Sequence, residues 1–448
     1  MVESVTKRAG QPGRAAGPSA AGEELELAVS GVAHGGWCVA RDAGGRVVFV
    51  RHALPGERVR ARVTDATASF ARAEAIEILH ASPDRVAPRC PYAHPGGCGG
   101  CDWQHANLAA QRRLKAQVIK EQLRRIAGLD REVTVEPVPG DEDGLGWRTR
   151  VRFSVGPDGS AGLLAHRSHE VIDVGDCPIA HPLLQAVGVT RRHWAAGPVE
   201  VVVSPSSGER AVIIPEPGTG TGIDAEVDTV LAAGRGGRLT TVTGRGALRQ
   251  RAAGRSWRVS AGAFWQVHPG VADILTEAVL DTLRPQPGDV ALDLFCGAGL
   301  FAGALAGQVG PQGAVIAVDA DTAAVRDARR NLRGTPWARV YAGDVARVLA
   351  RGGWRQPGLA VLDPPRTGVS RRVIERLLTP HVAGQRRPGR GSGRRALRRV
   401  AYVSCDPATL ARDIAVFAEF GWQLDALRAF DAFPMTHHVE CVAALTPR

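Results

Sequence analysis

The chain has 448 residues, more than one ordinary domain holds, so two or three domains are expected. Hydrophobic residues make up 44% and charged residues 23%, which admits a sizeable core and excludes global disorder, and no apolar run approaches the roughly 18 residues of a membrane-spanning helix. The net charge is +11, and all but three of the 56 basic residues (Lys7, Lys115 and Lys120) are arginine, whose planar fork suits phosphate and points to a polyanionic partner.

Residues 1–21 are rich in Gly, Ala, Pro and Ser without apolar periodicity and are expected as a disordered tail. They contain no apolar signal core, so the cytoplasm is the expected location. Residues 22–80 hold five short alternating strands separated by glycine turns, the pattern of a small OB-like β-barrel. Arg51, Arg58, Arg60 and Arg62 lend that barrel a basic tint. Residues 88–255 are expected as a middle α+β domain. It opens with a cysteine-rich loop, followed by an amphipathic helix over 107–127 with Leu114, Val118, Ile119, Leu123 and Ile126 on one face and Gly128 as its stop. Short strands then alternate with Gly/Pro turns, and Arg148, Arg150 and Arg152 share one strand face, either solvated or tracking phosphate.

Residues 256–448 alternate strand and helix. Strands are expected at 289–295, 314–319, 358–362 and 400–404, with a closing hairpin at 424–445, giving a Rossmann-like parallel sheet with an antiparallel edge. Residues 381–399, rich in Gly and Arg, interrupt it as a loop.

Chemistry concentrates at the strand ends. The run Asp293-Leu-Phe-Cys-Gly-Ala-Gly299 opens a helix after a strand, where glycines let a ligand approach the backbone. Asp319 ends the next strand, placed to hold a ribose. The run G-A-G is not the full dinucleotide G-x-G-x-x-G, and no phosphate-binding lysine follows it as in a P-loop, so a nucleoside cofactor such as S-adenosyl-L-methionine fits better than NAD. Further strands end at Asp363-Pro364-Pro365-Arg366 and at Ser404-Cys405-Asp406-Pro407. In an open parallel sheet ligands lie beyond the carboxyl ends of the strands, so Phe295, Asp319, Asp363 and Cys405 should converge. A cysteine there, near Arg366 and a cationic methyl donor, is expected to be partly thiolate. Glu440, in the apolar strand VECVAAL, should be desolvated and suited to accept a proton. The neighbouring His437 and His438 should face opposite sides of that strand.

Eight cysteines in a reducing compartment are expected as ligands, nucleophiles or core fillers rather than disulfides. Cys38, Cys296 and Cys441 read as packing residues. Cys90, Cys98, Cys101 and Cys177 form a four-thiolate set open to zinc or an iron–sulfur cluster, and three ligands plus one distant favour the cluster.

The motifs FWQ, DLFCGAG, DPPR, SCDPATLARD and HHVE together resemble the RNA 5-methyluridine methyltransferase family, over nearly the whole chain from about Glu23. The resemblance implies a TRAM barrel, a [4Fe–4S] site at the four cysteines and a class I methyltransferase domain. It implies S-adenosyl-L-methionine as methyl donor, Gln266, Phe295, Gly297, Asp319, Asp344 and Asp363 around the cofactor and base, Cys405 as nucleophile and Glu440 as base. The expected function is uridine-C5 methylation of ribosomal or transfer RNA, with no obligate protein partner. The competing reading is a non-catalytic RNA-binding or assembly protein that keeps the barrel and cluster.

Overall fold

Five strands of alternating inward and outward residues, β1 (Glu24–Val32), β2 (Cys38–Arg41), β3 (Val47–Arg51), β4 (Arg58–Ala66) and β5 (Phe70–His80), close into a barrel in the order β1-β2-β3-β5-β4. β3 and β5 run parallel and the other pairs antiparallel. Leu27, Val29, Val48, Val50 and Val59 fill the interior beside the small side chains of Ala61, Ala71 and Ala73, which lets so few strands close. The basic tint expected of this barrel is largely cancelled. Arg58 and Arg60 pair with Glu26, Arg60 also with Glu77, Arg62 with Glu24, and Arg51 is buried against Glu74. Cross-strand register causes this, since Glu24 lies opposite Arg62 and Glu26 opposite Arg60.

This barrel belongs to one of two compact units, which divide between Arg85 and Val86. The computed structural model describes residues 21–195, 197–215, 223, 227–379 and 397–448. Residues 1–20 of the expected N-terminal tail and most of the expected 381–399 loop therefore lie outside the described residues. No helix among the described residues is long and apolar enough to cross a membrane.

The second unit begins with α1 (Leu108–Gln122), capped by the Asn107 side chain accepting from the Ala110 N–H. A wide π-type turn, Leu123–Ala127, follows and ends on Gly128 in the left-handed region at φ 67°. Ile126 was expected on the buried face, but the wide turn shifts the phase and leaves it 41% exposed. Lys115 is buried instead.

Strands β6 (Val135–Glu136), β7 (Arg150–Val155), β8 (Ala161–Leu164) and β9 (Val171–Ile172) follow, then the short helix α2 (Pro182–Gln185). β10 (Val199–Val203), β11 (Arg210–Ile214), β12 (Thr229–Ala233) and β13 (Leu239–Thr243) complete a seven-stranded sheet ordered β13-β12-β11-β10-β7-β8-β9, antiparallel except for the β11–β12 pair. Arg150 on β7 is held by Glu200 and the Ala263 carbonyl, whereas Arg152 is exposed. A hairpin of β14 (Ala247–Ala252) and β15 (Arg255–Ser260) leads on to α3 (Val271–Leu283).

The last region is the expected wound sheet. Its elements are β16 (Val290–Leu294), α4 (Leu300–Val309), β17 (Ala314–Asp319), α5 (Thr322–Asn331), β18 (Ala338–Ala342), α6 (Val345–Arg351), β19 (Leu359–Leu362), α7 (Arg371–Leu378), β20 (Arg399–Ser404), α8 (Pro407–Glu419), β21 (Trp422–Phe430) and β22 (Glu440–Pro447). The sheet order is β18-β17-β16-β19-β20-β22-β21-β6, with β16 to β20 parallel and β22 antiparallel between β20 and β21. β18 was not foreseen. It is an edge strand whose residues stay partly exposed, so ARVYA lacks the apolar run of its neighbours. Apolar side chains pack on both faces of the sheet, in two separate clusters.

Candidate active site

Parallel register brings the reactive strand ends to one edge. Leu294 pairs with Val318 and Leu362, and Leu362 pairs with Tyr402, so the residues just beyond them lie side by side. The Phe295 and Cys296 N–H groups both donate to the Val318 carbonyl, and the Asp363 N–H donates to Leu294. Phe295 has φ 65°, a left-handed conformation that costs a side-chain-bearing residue about 1–2 kcal/mol. Such strain persists where the surroundings impose it, here at the turn from β16 into the glycine loop. Gly297 N–H donates to Asp319 Oδ2 at 2.8 Å, and Asp321 N–H to Asp319 Oδ1 at 2.8 Å. Asp319 thereby ties the two loops together and keeps lone pairs for a ligand. Gln266 is buried, while Asp344 is exposed and caps α6 by accepting from the Arg347 N–H.

Buried carboxylates crowd this edge. Burial first, then the Asp363 and Asp319 charges, push Asp293 up to about 8. Burial and the Asp319 charge push Asp363 up to about 7. Glu440, 4% exposed, is raised well above the usual carboxylate range, by burial first and then by Asp363, against the opposing pull of Arg366. A pocket of this kind favours a cationic ligand, whose charge would offset the mutual repulsion.

Cys405 and Glu440 come together through register. Ser404 on β20 pairs with Cys441 on β22, so the next step along the antiparallel pair sets Cys405 across from Glu440. Asp406 caps α8 by accepting from the Thr409 N–H, with Pro407 at its first turn, which ends the strand sharply at Cys405. The expected partial thiolate is not what the protein's own groups produce. Burial first, then Glu440, push the Cys405 thiol up to about 12, with Arg366 opposing. Desolvation of the sulfur outweighs the single nearby guanidinium.

His437 and His438 lie in the loop before β22 rather than within it. Their rings are 4.0 Å apart and do not face opposite sides of a strand. His438 Nε2 is 3.4 Å from Arg366 Nη2, and His437 Nδ1 is 2.6 Å from Asp102 Oδ2. Nothing local to Asp102 in the sequence signals a partner 335 residues away.

Cys90, Cys98, Cys101 and Cys177 line one cavity together with Tyr92, Gln104, Arg148 and mainly apolar residues. Among the described residues, no group of three or more His, Cys, Asp or Glu side chains is arranged to hold a metal ion. Cys38, Cys296 and Cys441 are buried in the cores.

Family models match the chain as a TRAM domain over residues 18–76, a methyltransferase small domain over 262–365 and a tRNA (uracil-5-)-methyltransferase over 392–448. An RNA methyltransferase of Streptomyces avermitilis is 48% identical over 442 residues, covering 95% of this chain and 99% of that one. A 23S rRNA (uracil(1939)-C(5))-methyltransferase of Pseudomonas putida is 34% identical, covering 89% and 88%. The fold matches that of the Pyrococcus abyssi tRNA (uracil-54, C5)-methyltransferase, solved with S-adenosyl-L-homocysteine, at a TM-score of 0.69 and 20% identity, covering 94% of this chain and all of that one. With a TRAM barrel, a class I methyltransferase sheet and full-length relatives of this kind, the chain belongs to the S-adenosylmethionine-dependent RNA (uracil-5-)methyltransferase family.

Proposed function

We propose that this protein methylates C5 of a uridine in ribosomal or transfer RNA through a covalent intermediate on Cys405. The observation that carries the reading is the pairing of a thiol and a buried carboxyl on adjacent strands, Cys405 opposite Glu440, at an edge lined by Asp293, Asp319 and Asp363. C5 of uracil is too weakly nucleophilic to take a methyl group unaided. Addition of the Cys405 sulfur to C6, once the thiol has given its proton to water, makes an enolate whose C5 is nucleophilic, dividing one hard step into two easier ones. C5 then bonds to the methyl carbon as the methyl–sulfur bond of the donor breaks, its electron pair leaving on sulfur, which becomes a neutral thioether. Glu440 in its ionised form takes the C5 proton, the C–H electrons restore the C5–C6 double bond, and the Cys405 sulfur leaves as thiolate.

The bound methyl donor supplies an electrophilic methyl on a positive sulfonium. In this reading Asp319 holds its ribose, Phe295, Gly297 and Asp363 line its cleft with Gln266, and Asp344 contributes from the end of β18. Arg366, whose charge lowers both Cys405 and Glu440, steadies the negative charge that passes between them. A stacked base cannot reach Cys405, so the uridine is single-stranded or flipped outward.

The four thiols around one cavity fit a [4Fe–4S] cluster held by Cys90, Cys98, Cys101 and Cys177. All four candidate donors are thiols, the ligand type of such a cluster. The methyl-transfer cycle needs no redox step, so the cluster's role is structural or RNA-binding.

RNA carrying 5-fluorouridine tests the mechanism, because fluorine cannot leave as a proton. The wild type should form an adduct that survives denaturation and Cys405→Ala should form none; a wild type that forms no adduct with RNA containing its target site sinks the mechanism. Protein purified without oxygen should be brown with about four irons per chain. Colourless protein with stoichiometric zinc would reject the cluster.

A further inference from the structure

The segment that delivers Glu440 is clamped by the stretch immediately following Cys101. Asp102 Oδ2 accepts from the His437 backbone N–H at 3.0 Å and lies 2.6 Å from that histidine's ring Nδ1. The Asp102 and Trp103 N–H groups both donate to the Met435 carbonyl, at 2.9 and 3.0 Å. Buried Gln111 accepts from the Met435 N–H at 2.8 Å, while its amide group donates to the Trp103 and Ala106 carbonyls. Met435 itself has φ 67°, a conformation that a non-glycine residue keeps only when its surroundings enforce it. From there the contacts run inward: the His437 ring rests 4.0 Å from the His438 ring, and His438 Nε2 reaches Arg366 at 3.4 Å.

We propose that Asp102 and Gln111, acting through His437 and Met435, are positioning residues that set the approach of Glu440 to C5 of the pyrimidine. The inference rests on Glu440 being the base. Six hydrogen bonds from a distant part of the sequence converge on two residues, Met435 and His437, and β22 begins with Glu440 only three residues after the latter. That is more restraint than a surface loop needs, and it acts where an error of about 1 Å can cost about 100-fold in rate. Loosening the clamp should leave sulfur addition and methyl transfer intact and slow the final proton abstraction.

The test uses Asp102→Ala, Asp102→Asn and His437→Ala in the full chain, with Glu440→Gln as the reference. Both alanine variants should lose about 10- to 100-fold in kcat, with KM for RNA and for the methyl donor within about twofold. Asp102→Asn retains an acceptor oxygen and should recover most of the loss. On ordinary uridine RNA, both alanine variants and Glu440→Gln should accumulate a covalent RNA–protein complex carrying the transferred methyl, while the fluorouridine adduct forms as in the wild type. If Asp102→Ala folds poorly, His437→Ala decides alone, because that side chain is partly exposed. If Glu440→Gln accumulates the methylated complex and His437→Ala does not, the positioning role is wrong. A fall of the fluorouridine adduct in step with kcat overturns it as well. If Glu440→Gln itself accumulates none, the assignment of the base is what fails.

Discussion

Cys405 stands one residue past the last paired position of β20, and its environment decides its chemistry more than its type does. A thiol pushed up to about 12 holds little thiolate at neutral pH, and that fraction grows about tenfold with each pH unit until the thiol titrates. Alkylation of Cys405 in the protein alone, corrected with Cys405→Ala, should therefore speed up about tenfold per unit from pH 7 to 9 without levelling. A plateau near pH 7 would show an already activated thiolate. The position of Cys405 at a strand end is legible from SCDP, because a proline and a capping aspartate mark where a strand stops and a helix begins. Its ionisation is not legible, because desolvation comes from residues far away in sequence.

Among elements, α1 and α4 show how buried contacts join distant segments. Lys115 on α1 is fully buried, with its ammonium on the Asp431 carboxylate and donating to the Phe433 carbonyl at 3.0 Å. Lys115→Met would leave the Asp431 charge buried without its main partner. It should destabilise the second unit by about 3–5 kcal/mol, visible as a lower urea midpoint; a midpoint unchanged from wild type would show that water reaches Asp431. Gly303 on α4 faces Trp257 of β15, and a Cβ there would overlap the indole ring. Alanine gains about 1 kcal/mol of helix propensity over glycine, yet overpacking costs about 1–3 kcal/mol. Gly303→Ala should therefore be less stable in thermal unfolding, and a more stable variant would mean the hairpin shifts freely. The period of apolar residues reveals that α1 is a helix, and the glycine loop after a strand marks the start of α4. Neither reveals that a lysine lies on the inward side of α1, since that depends on an aspartate 316 residues later.

Across the whole molecule, the crowded carboxyls at the sheet edge tie stability to pH. Asp293, raised to about 8 mainly by burial, keeps its proton in the folded protein at pH values where the unfolded chain, with a pKa of about 4, has lost it. The folded state then binds more protons, so this group's contribution falls as pH rises from about 4 to 8. Asp293→Asn should make the slope of stability against pH less negative over that window, by at most about 1.4 kcal/mol per unit. Parallel denaturation curves from pH 5 to 8 check it, and identical slopes would show that Asp293 is ionised throughout.

Strand alternation, glycine turns and the strand-end acids are local features, and the sequence by itself determined the barrel, the alternation of strand and helix in the wound sheet with its antiparallel edge, and the residues at its carboxyl edge. Only the tertiary structure decided that the barrel arginines are neutralised, that β18 forms an edge, that Ile126 is exposed and that Asp102 grips His437. Backbone periodicity is written over a few neighbouring residues, whereas charge pairing and burial depend on which surfaces meet after the chain has folded.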